Sequence, residues 1–301
     1  MRPDLHLRTR LNRAVTAPAL IATAALLGAA VSLAPPAAGA GTAGGTATST
    51  PAGTGTFSHP LRTDSKYFPL TPGMRYSYDG TVTDAEGTHH HQVVFAVTDL
   101  VKNVNGTNAR VVLDRDYNDG VLSEAELAFF AQDDAGNVWT LGEYPEEYEN
   151  GKFQGAPSTW INGVRGAHAG ILVPGHPTVG TPPFVQGRAP AIDFYDVGQV
   201  VGTGLRTCVP TGCYSGVVKI KEWAPNAPAD GNQLKYYAPN VGLVRISAQG
   251  GDAQEVMVLS TLRKLGPEQL SAVRADALRL DHRAYNVSKD YRATGPAHLP
   301  R

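Results

Sequence analysis

The sequence predicts a mainly β domain: a single strongly curved antiparallel sheet, half-barrel or barrel-like, followed by one C-terminal helix. Three observations predict it. Apolar residues alternate with period two along much of residues 66–265, as side chains on opposite faces of a strand do. Turn dipeptides such as Asn105-Gly106 join those runs at short intervals, and both residues tolerate the positive φ of a tight hairpin. Gly and Pro supply 33 and 22 of the 301 residues, about 18% against an average near 12%, and that excess serves turns.

The elements follow in order. Order is expected from Lys66-Tyr67-Phe68-Pro69-Leu70, with a turn at Pro72-Gly73 and a strand over 74–82. Residues 93–97 lead to the Asn105-Gly106 turn, and 110–116 return. Asn118-Asp119-Gly120 turns the chain into 121–132, and residues 134–137 turn it into 138–143. Residues 145–192 read as looser, rich in Gly and Pro, with Trp160 and residues 170–174 as core plugs. Strands return at 197–207, 217–223, 234–237, 242–248 and 255–262. A meander this long must curl to bury one face. Pro267 suits a first helical position, and Leu270, Val273, Ala277 and Leu280 form one stripe of a helix assigned to 266–285. Residues 286–301 read as a disordered tail.

Residues 1–40 read as an export signal. Arg2, Arg8, Arg10 and Arg13 form a basic start, residues 14–33 are apolar, and Ala38-Gly39-Ala40 is a small-x-small cleavage pattern. A retained membrane anchor is the alternative, because the apolar run is about 20 residues long. No Cys lies near the cleavage site, so no lipid anchor is expected. Residues 41–65 read as a disordered Gly/Thr/Ala linker. The chain carries a net charge of −1; loss of four Arg and Asp4 with the signal leaves −4, which excludes a phosphate-backbone footprint and hence nucleic acid as a partner. The expected location is secreted or extracytoplasmic.

Each candidate for chemistry has a plainer reading beside it. Cys208 and Cys213, the only cysteines, flank a hairpin loop and should lie opposite each other on paired strands. A disulfide suits an exported chain and should contribute roughly 2–3 kcal/mol. His89-His90-His91 invites a metal, yet only His89 and His91 share a strand face, and solvated histidines are the plainer reading. Residues 114–120 resemble a calcium loop but fit no frame of ligands and glycine, which leaves a hairpin turn. Glu143, Glu146, Glu147 and Glu149 could suggest glycoside hydrolysis or calcium, against an exposed acidic loop. His168, His176 and His282 have no nucleophile context, and no Gly-x-Ser-x-Gly, P-loop or dinucleotide motif occurs, so no catalytic residue and no cofactor are assigned.

Three segments together resemble an uncharacterised group of exported bacterial β-rich proteins: Tyr67-Phe68-Pro69-Leu70-Thr71-Pro72-Gly73, the stretch from Phe130-Ala131-Gln132-Asp133 through Asn137-Val138-Trp139, and Lys235-Tyr236-Tyr237-Ala238-Pro239 with Val241-Gly242-Leu243-Val244. Val209-Pro210-Thr211-Gly212-Cys213-Tyr214 is similar to a turn of curved-sheet envelope proteins like lipoprotein carriers. The group implies export and no chemistry. The expectation is a non-enzymatic protein whose concave sheet binds an apolar or amphipathic ligand such as a lipid, or an envelope partner. Trp139, Trp160, Trp223, Tyr236 and Tyr237 are expected to line its core or cavity. The alternatives are a metal-assisted extracellular hydrolase using His89, His91, His176 and residues 143–149, and a structural or adhesive surface domain.

Overall fold

The computed structural model describes residues 55–85 and 87–300, so the expected signal and linker residues 41–54 lie outside the described residues. Residues 55–65, read as disordered, are instead held on the domain by Phe57 against the Trp139 ring and Ser58 bonded to Asp134. Strands β1 (Met74–Asp84), β2 (Gly87–Val104), β3 (Thr107–Asn118), β4 (Val121–Gln132) and β5 (Val138–Glu149) form one meander. Short strands β6 (Lys152–Gly155), β7 (Trp160–Ile161), β8 (His168–Val173) and β9 (Phe184–Ala189) occupy the stretch read as loose. Then come β10 (Phe194–Val209), β11 (Gly212–Trp223), β12 (Asn232–Ala238), β13 (Gly242–Gln249), β14 (Gln254–Lys264) and helix α1 (Pro267–Val287).

Twelve of these strands close into an antiparallel barrel. The order runs β4-β3-β2-β1-β14-β13-β12-β11-β10-β9-β8-β5, and β5 pairs back with β4. The two meanders are thus sealed along β1–β14 and β5–β8, while β6 and β7 extend the free edge of β5. Asn105 and Gly106 (φ 47° and 85°) and Asp119 and Gly120 (50° and 78°) make the tight turns read from sequence.

Inside the barrel, Tyr76, Phe95, Val112, Phe130, Ile220, Tyr237, Ile246 and Met257 form the main core. Phe68 plugs the end where β1 begins, with its ring centroid 5.9 Å from Phe95 and 5.6 Å from Phe130. A second core lies outside the wall. Strands β3 and β4 carry apolar side chains on both faces, so one face must be covered. Helix α1 covers it, packing Ala277, Leu280 and Ala284 over Leu113, Leu127 and Phe129. Residues after 286 do not trail: Tyr291 is buried 5.0 Å from the Tyr144 ring, and His298 bridges to Val101. The apolar positions of the tail supply area that the helix alone leaves open.

Candidate functional site

The opposite end of the barrel, where the β1–β2 and β3–β4 turns lie, is lined with carboxyls. Period-two alternation turns Asp114 and Asp116 of β3, and Glu124 and Glu126 of β4, inward. Asp116 stands opposite Glu124, which stands opposite Glu147 of β5, and Asp114 stands opposite Glu126. Glu143, Glu222 and Glu255 complete the lining, all buried. Trp160 of β7 closes over it and donates its Nε1–H to Glu143 Oε2 at 2.9 Å.

Two basic groups are paired with this set. Lys235 Nζ lies 2.6 Å from Glu222 Oε2, whose other oxygen accepts from Gln186 Nε2 at 2.9 Å. Burial opposes the Lys235 charge, but Glu222 outweighs it and lifts the ammonium above its ordinary range. His91, 1% exposed, donates Nδ1–H to Asn118 Oδ1 at 2.7 Å. Its Nε2 faces Glu255 Oε1 at 3.3 Å and Asp116 Oδ2 at 3.9 Å. Burial again disfavours the charge, yet Glu255, Asp116 and Asn118 together raise the imidazole to about 9.

The remaining carboxyls are governed by desolvation. Burial pushes Asp114 up to about 7 against the pull of the Arg115 backbone N–H and His91. Burial, then the charges of Asp114 and Glu124, hold Asp116 well above the usual carboxylate range. Glu124 and Glu126 are raised in the same way, by burial first and then by neighbouring acids. Asp116 Oδ2 and Glu126 Oε1 are buried with no hydrogen-bond partner. Asp114, Asp116, Glu124 and Glu126 therefore hold their protons more tightly than exposed carboxyls do, because ionisation in a dry site is costly, whereas Glu222 and Glu255 face the cations Lys235 and His91. Among the described residues, no three His, Cys, Asp or Glu side chains are grouped to hold a metal ion.

No family model matches the chain, and no curated protein does. Among solved structures it is similar to a protein from Bacteroides fragilis, provisionally described as exported with a YmcC-like fold, at 14% identity and a TM-score of 0.36. It is also similar to one from Parabacteroides distasonis, provisionally described as a lipoprotein, at 16% identity and a TM-score of 0.27. Each match covers 66% of this chain and the whole of the other. At such identities and scores neither carries an argument about this chain.

The residues singled out from sequence are dispersed. Cys208 and Cys213 are joined, facing each other across β10 and β11. His89 sits at the barrel mouth against Asp119, and His90 points outward to Asp79. His91 is the correction to the solvated reading of the triplet: strand parity carries it inside, away from water. Residues 143–149 are not one exposed loop, because β5 sends Glu143 and Glu147 inward and Glu146 outward. There Arg283 of α1 binds Glu146 through Nε at 2.7 Å. His176 is exposed and paired with none of them.

The five aromatics split likewise. Tyr237 belongs to the barrel core, Trp139 to the core under α1, and Trp160 to a small cluster with Phe194. Trp223 and Tyr236 are half-buried on the outer wall. A crevice beside Phe68, Tyr76, Tyr78 and Leu243 holds only about 10 Å³, the room of a single water. Sequence reasoning weighed Asp114 and Asp116 only within a calcium-like loop that fits no frame, and gave no role to Glu124 and Glu126. The signal was present as Asp-x-Asp and Glu-x-Glu on consecutive strands of one hairpin, with the same parity as the core residues Val112 and Ala128.

Proposed function

We propose that the chain is an exported, non-enzymatic barrel that works through its outer surface, as an envelope-partner or adhesive module, and that its lumen is structural. The observation carrying this reading is the packing of the described interior: aromatic and aliphatic side chains occupy one end and buried carboxyls the other, and the crevice at the Phe68 end has room for about one water. A hydrolytic reading lacks support because His89, His91, His176 and the carboxyls of β5 do not converge. The outer wall carries Arg75, Asp79, Lys219, Lys221 and Arg245, which is unlike the apolar belt of a membrane-spanning barrel. The basic leader and the disulfide support export. The test is mass spectrometry of the mature protein purified from culture without detergent. No stoichiometric lipid is expected, and one lipid per chain would overturn the reading.

A further inference from the structure

The outer wall of β11–β13 carries a row that the barrel core does not explain. Lys219 of β11 stands directly opposite Tyr236 of β12, and Tyr236 directly opposite Arg245 of β13. Adjacent strands are about 4.8 Å apart, so the backbone position of Tyr236 lies between those of two cationic residues about 10 Å apart. The Lys219 ammonium lies 5.8 Å from the Tyr236 ring centroid. Two residues along β11, Lys221 sits 4.4 Å from the Trp223 ring, repeating the pairing of cation and aromatic. All five side chains are half-buried, and the three cations take part in no ion pair among the described residues. The neighbouring outward carboxylate, Asp79 of β1, is occupied by His90 Nε2 at 3.2 Å. Helix α1 covers the far side, β2–β5, and leaves this wall bare.

We propose that this wall binds an acidic polysaccharide. The row matches that chemistry in two ways. Aromatic rings offer a flat apolar face for the C–H side of a sugar ring, and Lys219, Arg245 and Lys221 supply donors for carboxylates or phosphates on its rim. The mature chain is acidic overall, so attraction to a polyanion must come from a local patch of this kind. The proposal rests on the outer-surface reading above and names its partner.

The test uses the secreted mature protein and polygalacturonate as the probe, with dextran and phosphatidylglycerol vesicles as comparison arms. Wild type is expected to bind polygalacturonate with an affinity that falls as salt rises, and to ignore dextran. The double variant Lys219→Glu/Arg245→Glu should lose about tenfold or more. Tyr236→Ala, which leaves all three cations in place, should also weaken binding. The charge-reversal variant should melt at the wild-type temperature, since neither cation belongs to the core; Tyr236 packs partly against the core, so Tyr236→Ala is assayed at a temperature where its circular dichroism shows it folded. Equal binding by the charge-reversal variant, or by Tyr236→Ala, overturns the assignment. Binding to vesicles without polygalacturonate overturns it in favour of a lipid surface. None of these outcomes touches the outer-surface reading, which fails separately if a lipid is found inside the barrel.

Discussion

The acidic interior makes stability fall as pH rises, and Asp114 measures how much. Its carboxyl titrates near 3.8 in the unfolded chain and about 7 in the fold. Between those values the folded state holds a proton that the unfolded state has released. Stability therefore decreases with pH across that window. A difference of about 3 units is worth about 4 kcal/mol at about 1.4 kcal/mol per unit, and about 2.6 kcal/mol of it falls between pH 5 and 8. Asp116, Glu124 and Glu126 are shifted in the same direction. His91 adds to the trend: its folded value is raised from 6.5 to about 9, so its contribution is complete below about 6.5 and lost as pH rises through 9. The perturbation is Asp114→Asn, which keeps the acceptor for the Arg115 N–H and removes the titration. The assay is urea unfolding followed by the buried Trp139 and Trp160, at pH 5 and pH 8. Wild type should lose at least about 2.6 kcal/mol over that range. The variant should lose about 2.6 kcal/mol less, a relative gain at pH 8 of roughly 5–10 °C in melting temperature. A wild type as stable at pH 8 as at pH 5, or a variant with the wild-type slope, would refute the account.

Two further expectations concern the buried ion pair under α1 and the β10–β11 turn. Lys102 Nζ is buried under α1, 2.7 Å from Asp281 Oδ1, and also donates to Gly295 O at 2.8 Å. Replacing Asp281 by Ala strands that ammonium and should cost about 3–5 kcal/mol, whereas Lys102→Met with Asp281→Leu should recover most of it; equal melting temperatures for the three proteins would count against the pairing. Reducing Cys208–Cys213, or replacing both by Ser, should lower stability by only about 2 kcal/mol, because the loop closed is short. Loss of folding in reducing buffer would contradict that figure.

The sequence by itself determined the strands, the hairpin turns, the cysteine pairing and the helix. Each depends on neighbours close in the chain: the parity of 110–116, two residues that accept positive φ at 105–106, a proline at the first helical position. Residues 145–192 were less legible because β6–β9 are short and hold their places by pairing with β5 and β10 rather than by their own periodicity. Tertiary structure alone decided that the sheet closes, since closure is set by β1 meeting β14 and β5 meeting β8, across long stretches of chain. It also decided which side of each strand is inside. Parity in β3 says that Asp114 and Asp116 share a face, but only the ring of strands says that this face is the dry one. The same ring put Trp139 in the outer core, against Phe57, and Tyr237 in the inner one. It left Lys219, Tyr236 and Arg245 side by side on the outside, because the hydrogen-bonded register of the consecutive strands β11, β12 and β13, with its shift after Tyr236, aligns them.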